Sequence, residues 1–288
     1  MAIESLHALE KASENKDIFE VVLDSDCTDR GVSREASLEK MHALYAAIRR
    51  AREGYDPALH SASGMVGGDG AKMREYVQKG KTICGDYIGQ VIAQALEMGE
   101  SNACMKCIVA APTAGSCGVL PAVLLPYQAR EGLDDDAMVR AMYIAGAIGQ
   151  VVAAKASIAG AAGGCQAEIG TASAMGAAAL CYLGGGSAQA VCHAAAIAIK
   201  SMLGLVCDPI AGLVEVPCVK RNAAGAMIAM SSADMALAGI RSAVPPDEVI
   251  LAMREVGDKM DVSLKETGVG GVAGTPFGQK IAEKMGVL

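Results

Sequence analysis

A stretch of 31 residues between Glu168 and Lys200 contains no Asp, Glu, Lys or Arg. A helix of that length is long enough to cross a bilayer. The stretch is rich in Ala and Gly, however, which add little free energy to membrane insertion, and three consecutive glycines interrupt it at residues 184–186. We therefore predict two buried helices that meet at these glycines, the second capped by Ser187. A non-enzymatic membrane or scaffold protein is the alternative interpretation.

The remaining composition also favours closely packed helices. Hydrophobic residues make up 52% of the 288 residues, yet the chain has two Phe, seven Tyr and no Trp. Small side chains let helices approach closely, and the 16 Met can fill irregular gaps between them. Apolar residues recur every three to four positions, for example in a helix predicted to begin near Asp86 and to end at Gly99. Alternating β patterns are nearly absent. We predict an all-α fold and treat residues 1–288 as one domain.

The net charge, the N-terminal sequence and the cysteine content indicate which binding partners and which cellular compartment to expect. The formal net charge is −7 and the chain has no basic stripe, so nucleic acid is not expected as a partner. The N-terminus lacks the basic, apolar and small-residue pattern of a leader peptide, so we expect a cytoplasmic protein. In a reducing compartment, ten Cys favour metal or redox chemistry over a disulfide framework.

Three of these cysteines lie in segments that glycine or proline restrains. Cys165 follows two glycines that permit close backbone approach, Cys207 lies two residues before Pro209, and Cys218 directly follows Pro217. Three thiolates are one fewer than the four that normally hold an iron–sulfur cluster, and the vacant iron of such a cluster can act as a Lewis acid. The spacing matches no short ferredoxin pattern. Cysteines that simply pack in the core are an equally good interpretation of the residues alone.

These segments resemble the α subunit, the catalytic chain, of iron–sulfur-dependent L-serine dehydratase, also called L-serine ammonia-lyase. The likeness runs from about residue 30 to about residue 280. The stretches that carry it are GMVGGDGAK at 64–72, APTAGSCG at 111–118, GGCQAE at 163–168, CDPIAGLVEVPC at 207–218 and KETGVGG at 265–271. The block from Cys207 to Cys218 is the most specific of them.

The resemblance implies an all-helical catalytic domain with a 4Fe–4S cluster and no pyridoxal phosphate. By position, it implies that Cys165, Cys207 and Cys218 are the cluster ligands, with water or substrate at the fourth iron. The implied reaction is deamination of L-serine to pyruvate and ammonia, and dehydratases or desulfidases that act on L-threonine or L-cysteine are the alternatives. Family members need a smaller regulatory part, so the resemblance also implies a separate β subunit and a hetero-oligomer.

That reaction needs a base for the α-proton and an acid for the β-hydroxyl, which is a poor leaving group. An open iron can bind the hydroxyl oxygen, and a side chain must take the proton. The candidate bases are Lys72, Lys265 and His60. Each lysine requires a lowered pKa, and an ordinary surface position is the alternative for both.

The substrate carboxylate requires hydrogen-bond donors. The loop that contains Thr113, Ser116 and Gly118 is the first candidate for a nest of backbone N–H groups, and residues 67–70 together with Lys72 are the second. Glycine-rich loops are also ordinary turns, which is the alternative for both.

The substrate ammonium requires a carboxylate. The candidates are Glu168, Asp208 and Glu215, each of which is equally suited to orienting a loop around the ligands. Cys104 and Cys107 form a C-x-x-C motif that the family does not lead us to expect. We interpret that motif as a chance occurrence rather than a redox pair or ligand set.

Overall fold

A computed structural model describes residues 3–287 of the chain. The described residues contain one parallel bridge, between Cys207 and Lys265, and no β-strand. The prediction of an all-α fold is confirmed. The helices are α1 Leu6–Ala12, α2 Ile18–Arg30, α3 Arg34–Glu53, α4 Asp69–Gln78, α5 Asp86–Ala103, α6 Val119–Glu131, α7 Asp135–Lys155, α8 Gly160–Gly163, α9 Thr171–Leu183, α10 Ala188–Met202, α11 Cys218–Leu237, α12 Pro246–Lys259 and α13 Pro276–Lys284. Shorter turns are the π-helical turn Gln166–Gly170 and the 3-10 turns Ile210–Gly212 and Val262–Leu264.

The uncharged stretch forms the centre of this bundle. It is divided into α9 and α10 at the glycine triplet, and Ser187 Oγ caps α10 by accepting the Ala190 N–H at 3.2 Å. The predicted helix pair is therefore confirmed. Helix α9 packs against α7, α10 and α11. A Cβ on Gly176 would lie 3.2 Å from side-chain carbons of Ala229 and Val123, so glycine lets these helices approach.

Helix α7 is the one described helix that is long and apolar enough to span a membrane. However, 61% of its most apolar window is buried inside the protein, as in the core helix of a soluble protein. Its N-terminus is capped by Asp134, whose carboxylate accepts the Ala137 N–H at 2.8 Å. The two helices of the uncharged stretch, with 13 and 15 residues, are each shorter than a typical membrane span.

The prediction that Gly99 ends its helix is wrong. Helix α5 continues through Gly99 to Ala103. A Cβ on Gly99 would lie 3.2 Å from Val219 Cα, so this glycine serves the close approach of α5 to α11 rather than helix termination. A glycine that a neighbouring helix requires looks the same in the sequence as one that ends a helix.

Candidate active site

The π-helical turn before α9 carries Glu168 and directly follows Cys165. Gly164 has a φ of +75°, and a Cβ there would meet the Leu205 carbonyl oxygen at 2.9 Å. Only glycine fits this position without strain. A π-helical turn is rare and is frequently found at functional sites. Here the turn brings the Glu168 carboxylate within 4.8 Å of the Cys165 sulfur.

Gln166 holds this turn against two neighbouring elements. Its amide nitrogen donates to the Met253 carbonyl of α12 at 2.9 Å, and its amide oxygen accepts the Gly204 N–H at 2.9 Å. The side chain is buried. Because both amide ends are engaged, Gln166 fixes the orientation of the turn and therefore of Cys165 beside it.

Cys207 is positioned by the segment that follows residue 263. Its N–H donates to the Leu264 carbonyl at 2.8 Å, and its carbonyl accepts the Glu266 N–H at 2.6 Å. Its sulfur, the Cys165 sulfur and a Glu168 carboxylate oxygen all lie within 4.8 Å of one another. Two buried thiols and a half-buried carboxylate thus form a set of ligand atoms of the kind that holds a metal.

A small residue, Gly160, leaves space beside these atoms. A Cβ on Gly160 would lie 2.8 Å from Cys207 Sγ and 2.8 Å from Glu168 Oε2. Burial raises the pKa of the Glu168 carboxyl, and the nearby charge of Glu266 raises it further. Hydrogen bonds from the Thr113 hydroxyl and the Gly160 N–H offset only part of this increase.

The two close thiols have opposite pKa shifts. The pKa of Cys165 is lowered, first by the hydrogen bond from Cys207 and then by the positive charge of Arg221. The pKa of Cys207 is raised, because Cys207 is the donor of that bond and is buried. Cys165 is therefore the more acidic thiol of the pair. Arg221 Nη1 lies 3.4 Å from Cys165 Sγ and donates to it.

Cys218 begins α11 next to this pair. It is buried, and burial is the main reason that its pKa rises to about 12, with the charges of Cys165 and Glu168 contributing. Among the described residues, the group within 4.8 Å contains Cys165, Glu168 and Cys207 but not Cys218. The structure thus places all three predicted ligand cysteines in one neighbourhood, with Cys218 the more distant.

Asp208 connects the segment that follows Cys207 to α11 and to the loop at Val272. Its carboxylate lies 2.8 Å from Arg221 Nη2 and accepts the Val272 N–H at 2.8 Å. A Cβ on Gly271 would lie 2.2 Å from this carboxylate, so glycine allows the loop to close over it. Of the two predicted roles for Asp208, these contacts are those of a group that orients a loop.

Thr113 is the member of the glycine loop that reaches the candidate ligands, through its hydrogen bond to Glu168. Ser116 is buried and holds the loop together: its Oγ lies 3.1 Å from Thr113 Oγ1 and accepts the Thr113 N–H at 3.3 Å. Thr113 therefore lies beside the group of Cys165, Glu168 and Cys207, whereas the Ser116 hydroxyl is hydrogen-bonded within the loop.

Gly118 donates its N–H to Asn222 Oδ1 at 2.8 Å, so this N–H is engaged within the protein rather than offered to a substrate. The Asn222 amide nitrogen donates to the Gly115 and Cys218 carbonyls at 2.9 and 3.0 Å. Asn222 thus joins the loop to the first turn of α11. Sequence reasoning missed this residue, and its place four residues after Cys218 was the only local signal.

The second predicted nest does bind a carboxylate, but that carboxylate belongs to the protein. Glu100 is buried and accepts the N–H groups of Asp69 and Gly70 at 2.7 and 3.1 Å. It therefore caps the N-terminus of α4. Lys72 is exposed and pairs with Asp69 at 2.9 Å, which raises the pKa of Lys72. A base would need the opposite shift.

The other predicted residues are distributed around the site. Lys265 is half-buried and its backbone forms the bridge to Cys207. His60 is exposed and lines a cavity of about 440 Å³ that also borders Cys104 and Glu215. Glu215 accepts the Ser61 hydroxyl at 2.6 Å, so it anchors that loop.

Cys104 and Cys107 of the C-x-x-C motif and Cys117 of the glycine loop lie outside the close ligand group. Cys107 is exposed and Cys104 is half-buried. Cys117 is buried within the glycine loop, and its thiol lies 3.7 Å from the Met98 carbonyl of α5. Burial raises the pKa of Cys117 to about 12. None of the three belongs to the ligand group that the described residues form.

Comparison with known proteins finds one family along the chain. The profile of the serine dehydratase alpha chain family matches residues 13–273. A probable L-serine dehydratase, alpha chain, from Bacillus subtilis is 49% identical over 245 residues, which cover 85% of this chain and 80% of that protein. The L-serine dehydratase, alpha chain, of Peptoniphilus asaccharolyticus is 43% identical over 272 residues, covering 88% and 93%. An L-serine dehydratase of Mycobacterium bovis is 40% identical over 253 residues, 86% of this chain but 50% of that protein.

Proposed function

The chain belongs to the serine dehydratase alpha chain family, and from this premise we propose that it deaminates L-serine to pyruvate and ammonia. The observation that carries the proposal is the group of two buried thiols, Cys165 and Cys207, and the half-buried carboxylate of Glu168, with Cys218 beside it. These residues lie in the segments that carry the family resemblance. The same residues would form the active site of a single catalytic domain.

We propose that Cys165, Cys207 and Cys218 hold a 4Fe–4S cluster. Thiolates are the usual ligands of such clusters, and all three cysteines are buried. Cys207 Sγ and Glu168 Oε2 face the space that a Cβ on Gly160 would fill. The donor set therefore fits the group. When bound, a cluster with three protein ligands supplies an iron with an open position, which acts as a Lewis acid on the β-hydroxyl.

Glu168 is the proposed partner of the substrate ammonium. It is a carboxylate at the edge of the ligand group, and the Thr113 hydroxyl orients it. An ammonium beside Glu168 would favour its ionised form and so offset the effect of burial. For the substrate carboxylate, we propose the loop around Thr113, excluding the Gly118 N–H because Asn222 uses it.

Among the three candidate bases, we propose Lys265 for the α-proton because its backbone is paired with Cys207. Lys72 pairs with Asp69 at the surface, and His60 is exposed. Loss of the proton and the hydroxyl leaves an enamine, which tautomerises to an imine. Water then converts the imine to pyruvate and ammonia, a step that needs little from the protein.

We further propose a cytoplasmic hetero-oligomer with a separate β subunit. The alpha-chain names of the Bacillus and Peptoniphilus relatives support a companion chain, as does the coverage of only 50% of the Mycobacterium protein. The net charge of −7 gives no support to nucleic acid as a partner.

Metal analysis and turnover test this proposal together. Anaerobically reconstituted protein, combined with a β chain, is expected to hold about four irons and about four sulfides and to form pyruvate from L-serine. Cys165→Ala, Cys207→Ala and Cys218→Ala should each abolish the brown colour and turnover. Cys27→Ala, which changes a cysteine of α2 outside the ligand group, should retain both.

Three outcomes would contradict parts of the proposal. An active preparation without iron would refute the cluster, and full colour in a ligand variant would refute that ligand. Turnover of L-threonine or L-cysteine that exceeds turnover of L-serine by about tenfold, a difference of about 1.4 kcal/mol in transition-state free energy, would refute the substrate assignment.

A further inference from the structure

Arg221 contacts the segments of all three proposed ligands. It lies three residues after Cys218 on α11, one turn along the helix. Its Nη1 donates to Cys165 Sγ at 3.4 Å and to the Val206 carbonyl at 2.7 Å, immediately before Cys207. These contacts join three segments that lie far apart in the sequence.

The second nitrogen of the guanidinium extends the connection. Arg221 Nη2 lies 2.8 Å from Asp208, and the other carboxylate oxygen of Asp208 accepts the Val272 N–H at 2.8 Å. The side chains of Arg221 and Asp208 are only 16% and 5% exposed. Removing either partner of such a buried ion pair destabilises the protein, because it leaves a buried charge unpaired.

The shape of the guanidinium is what allows this arrangement. Arginine carries five donors in a rigid planar fork, whereas lysine offers one compact ammonium on a flexible stem. One Arg221 side chain therefore holds a sulfur, a carbonyl oxygen and a carboxylate in a set relation. A lysine at this position would retain the charge but could not contact the same sulfur, carbonyl oxygen and carboxylate together.

We propose that Arg221 is a positioning residue that aligns the three cysteine segments for the cluster and then donates a charged hydrogen bond to a ligand sulfur. This inference rests on the proposed iron–sulfur function. Hydrogen bonds to ligand sulfurs and local charge set the reduction potential of a cluster. A cationic donor favours the more negative, reduced form, so Arg221 raises the potential and also slows the loss of iron.

The test compares three variants of the anaerobically reconstituted holoprotein: Arg221→Gln, Arg221→Lys and the control Arg254→Gln. Arg254 lies on α12, and its side chain is 62% exposed. The measurements are iron and sulfide content, the rate of iron loss to a chelator, the midpoint potential of the cluster and the far-UV circular dichroism of the fold.

Arg221→Gln is expected to release iron about 10–100 times faster than the wild type and to have a more negative midpoint potential. Arg221→Lys is expected to have a midpoint potential close to that of the wild type, because the positive charge remains. It is nevertheless expected to release iron almost as fast as Arg221→Gln. Arg254→Gln should match the wild type in both measurements.

A folded Arg221→Gln variant with wild-type iron loss and potential would overturn the inference. If Arg221→Gln does not fold, Arg221→Lys provides the test, and wild-type iron retention in that variant overturns the proposed positioning role. A wild-type protein that takes up no iron overturns the proposed function itself, and the inference with it, which distinguishes the two failures.

Discussion

Two buried regions of the molecule depend on small residues: the α9–α10 helix pair and the segments that carry Cys165, Cys207 and Cys218. They differ in the groups that they bury, which are mainly apolar in the first region and ionisable in the second. In the helix pair, glycine and alanine let apolar helices approach, and no Asp, Glu, Lys or Arg lies between residues 169 and 199. At the candidate site, Cys165, Glu168 and Arg221 are ionisable groups held by hydrogen bonds. Burial and small size alone therefore do not show whether a residue serves packing or a ligand.

A matched pair of glycine substitutions should separate the two regions with the largest effect. Gly160→Ala is expected to reduce iron binding by at least about tenfold, because its Cβ would lie 2.8 Å from Cys207 Sγ and from Glu168 Oε2. Gly176→Ala is expected to retain iron but to lose about 1–3 kcal/mol of unfolding free energy by overpacking against Ala229 and Val123.

Iron content after anaerobic reconstitution and denaturant unfolding of the metal-free proteins measure these two effects. Neither glycine has a positive φ, so alanine introduces no backbone strain at either position. Equal iron content in the two variants would show that Gly160 has no special relation to the ligand group.

The pH dependence of stability should sharpen the contrast, beginning with Glu168. Burial raises the pKa of Glu168, so its protonated form contributes stability that is present below the ordinary glutamate pKa and lost as pH rises through the raised value. In the metal-free protein, Glu168→Gln should therefore melt a few degrees higher than the wild type at about pH 8, with the difference closing near pH ~4. Thermal melts across this range measure the effect, and a more stable wild type at the upper end would contradict it.

In the α9–α10 helix pair, stability should change with pH in the opposite direction. This is the smallest of the predicted effects. His193 in α10 accepts the Ser242 N–H at its Nδ1 at 3.2 Å, and burial lowers the pKa of His193. Stability is then lost as pH falls below the ordinary histidine value of about 6.5, because the unfolded chain binds the proton more readily.

His193→Gln should remove this loss, which we expect to be about 1 kcal/mol or less. The measurement is the unfolding free energy between about pH 5 and about pH 7. His7→Gln, at an exposed position of α1, is the control. An identical slope in the wild type and His193→Gln would show that another group is responsible.

Sequence reasoning succeeded where the information is local. The uncharged stretch, its glycine break and the Ser187 cap predicted α9 and α10, because helix periodicity and capping involve residues a few positions apart. The family resemblance named Cys165, Cys207 and Cys218, which the structure places in one neighbourhood. Their role as cluster ligands stays a prediction until metal is measured.

The amino-acid sequence by itself determined the all-α class, the buried helix pair and the segments that carry the family resemblance. Only the tertiary structure decided that Gly99 serves helix packing and that Glu100 fills the second nest. It also decided that Arg221 joins the cysteine segments and that Asn222 joins the glycine loop to α11. These are contacts between residues tens of positions apart. Local periodicity does not report such contacts, because they exist only once the helices have packed and brought distant side chains within hydrogen-bond distance.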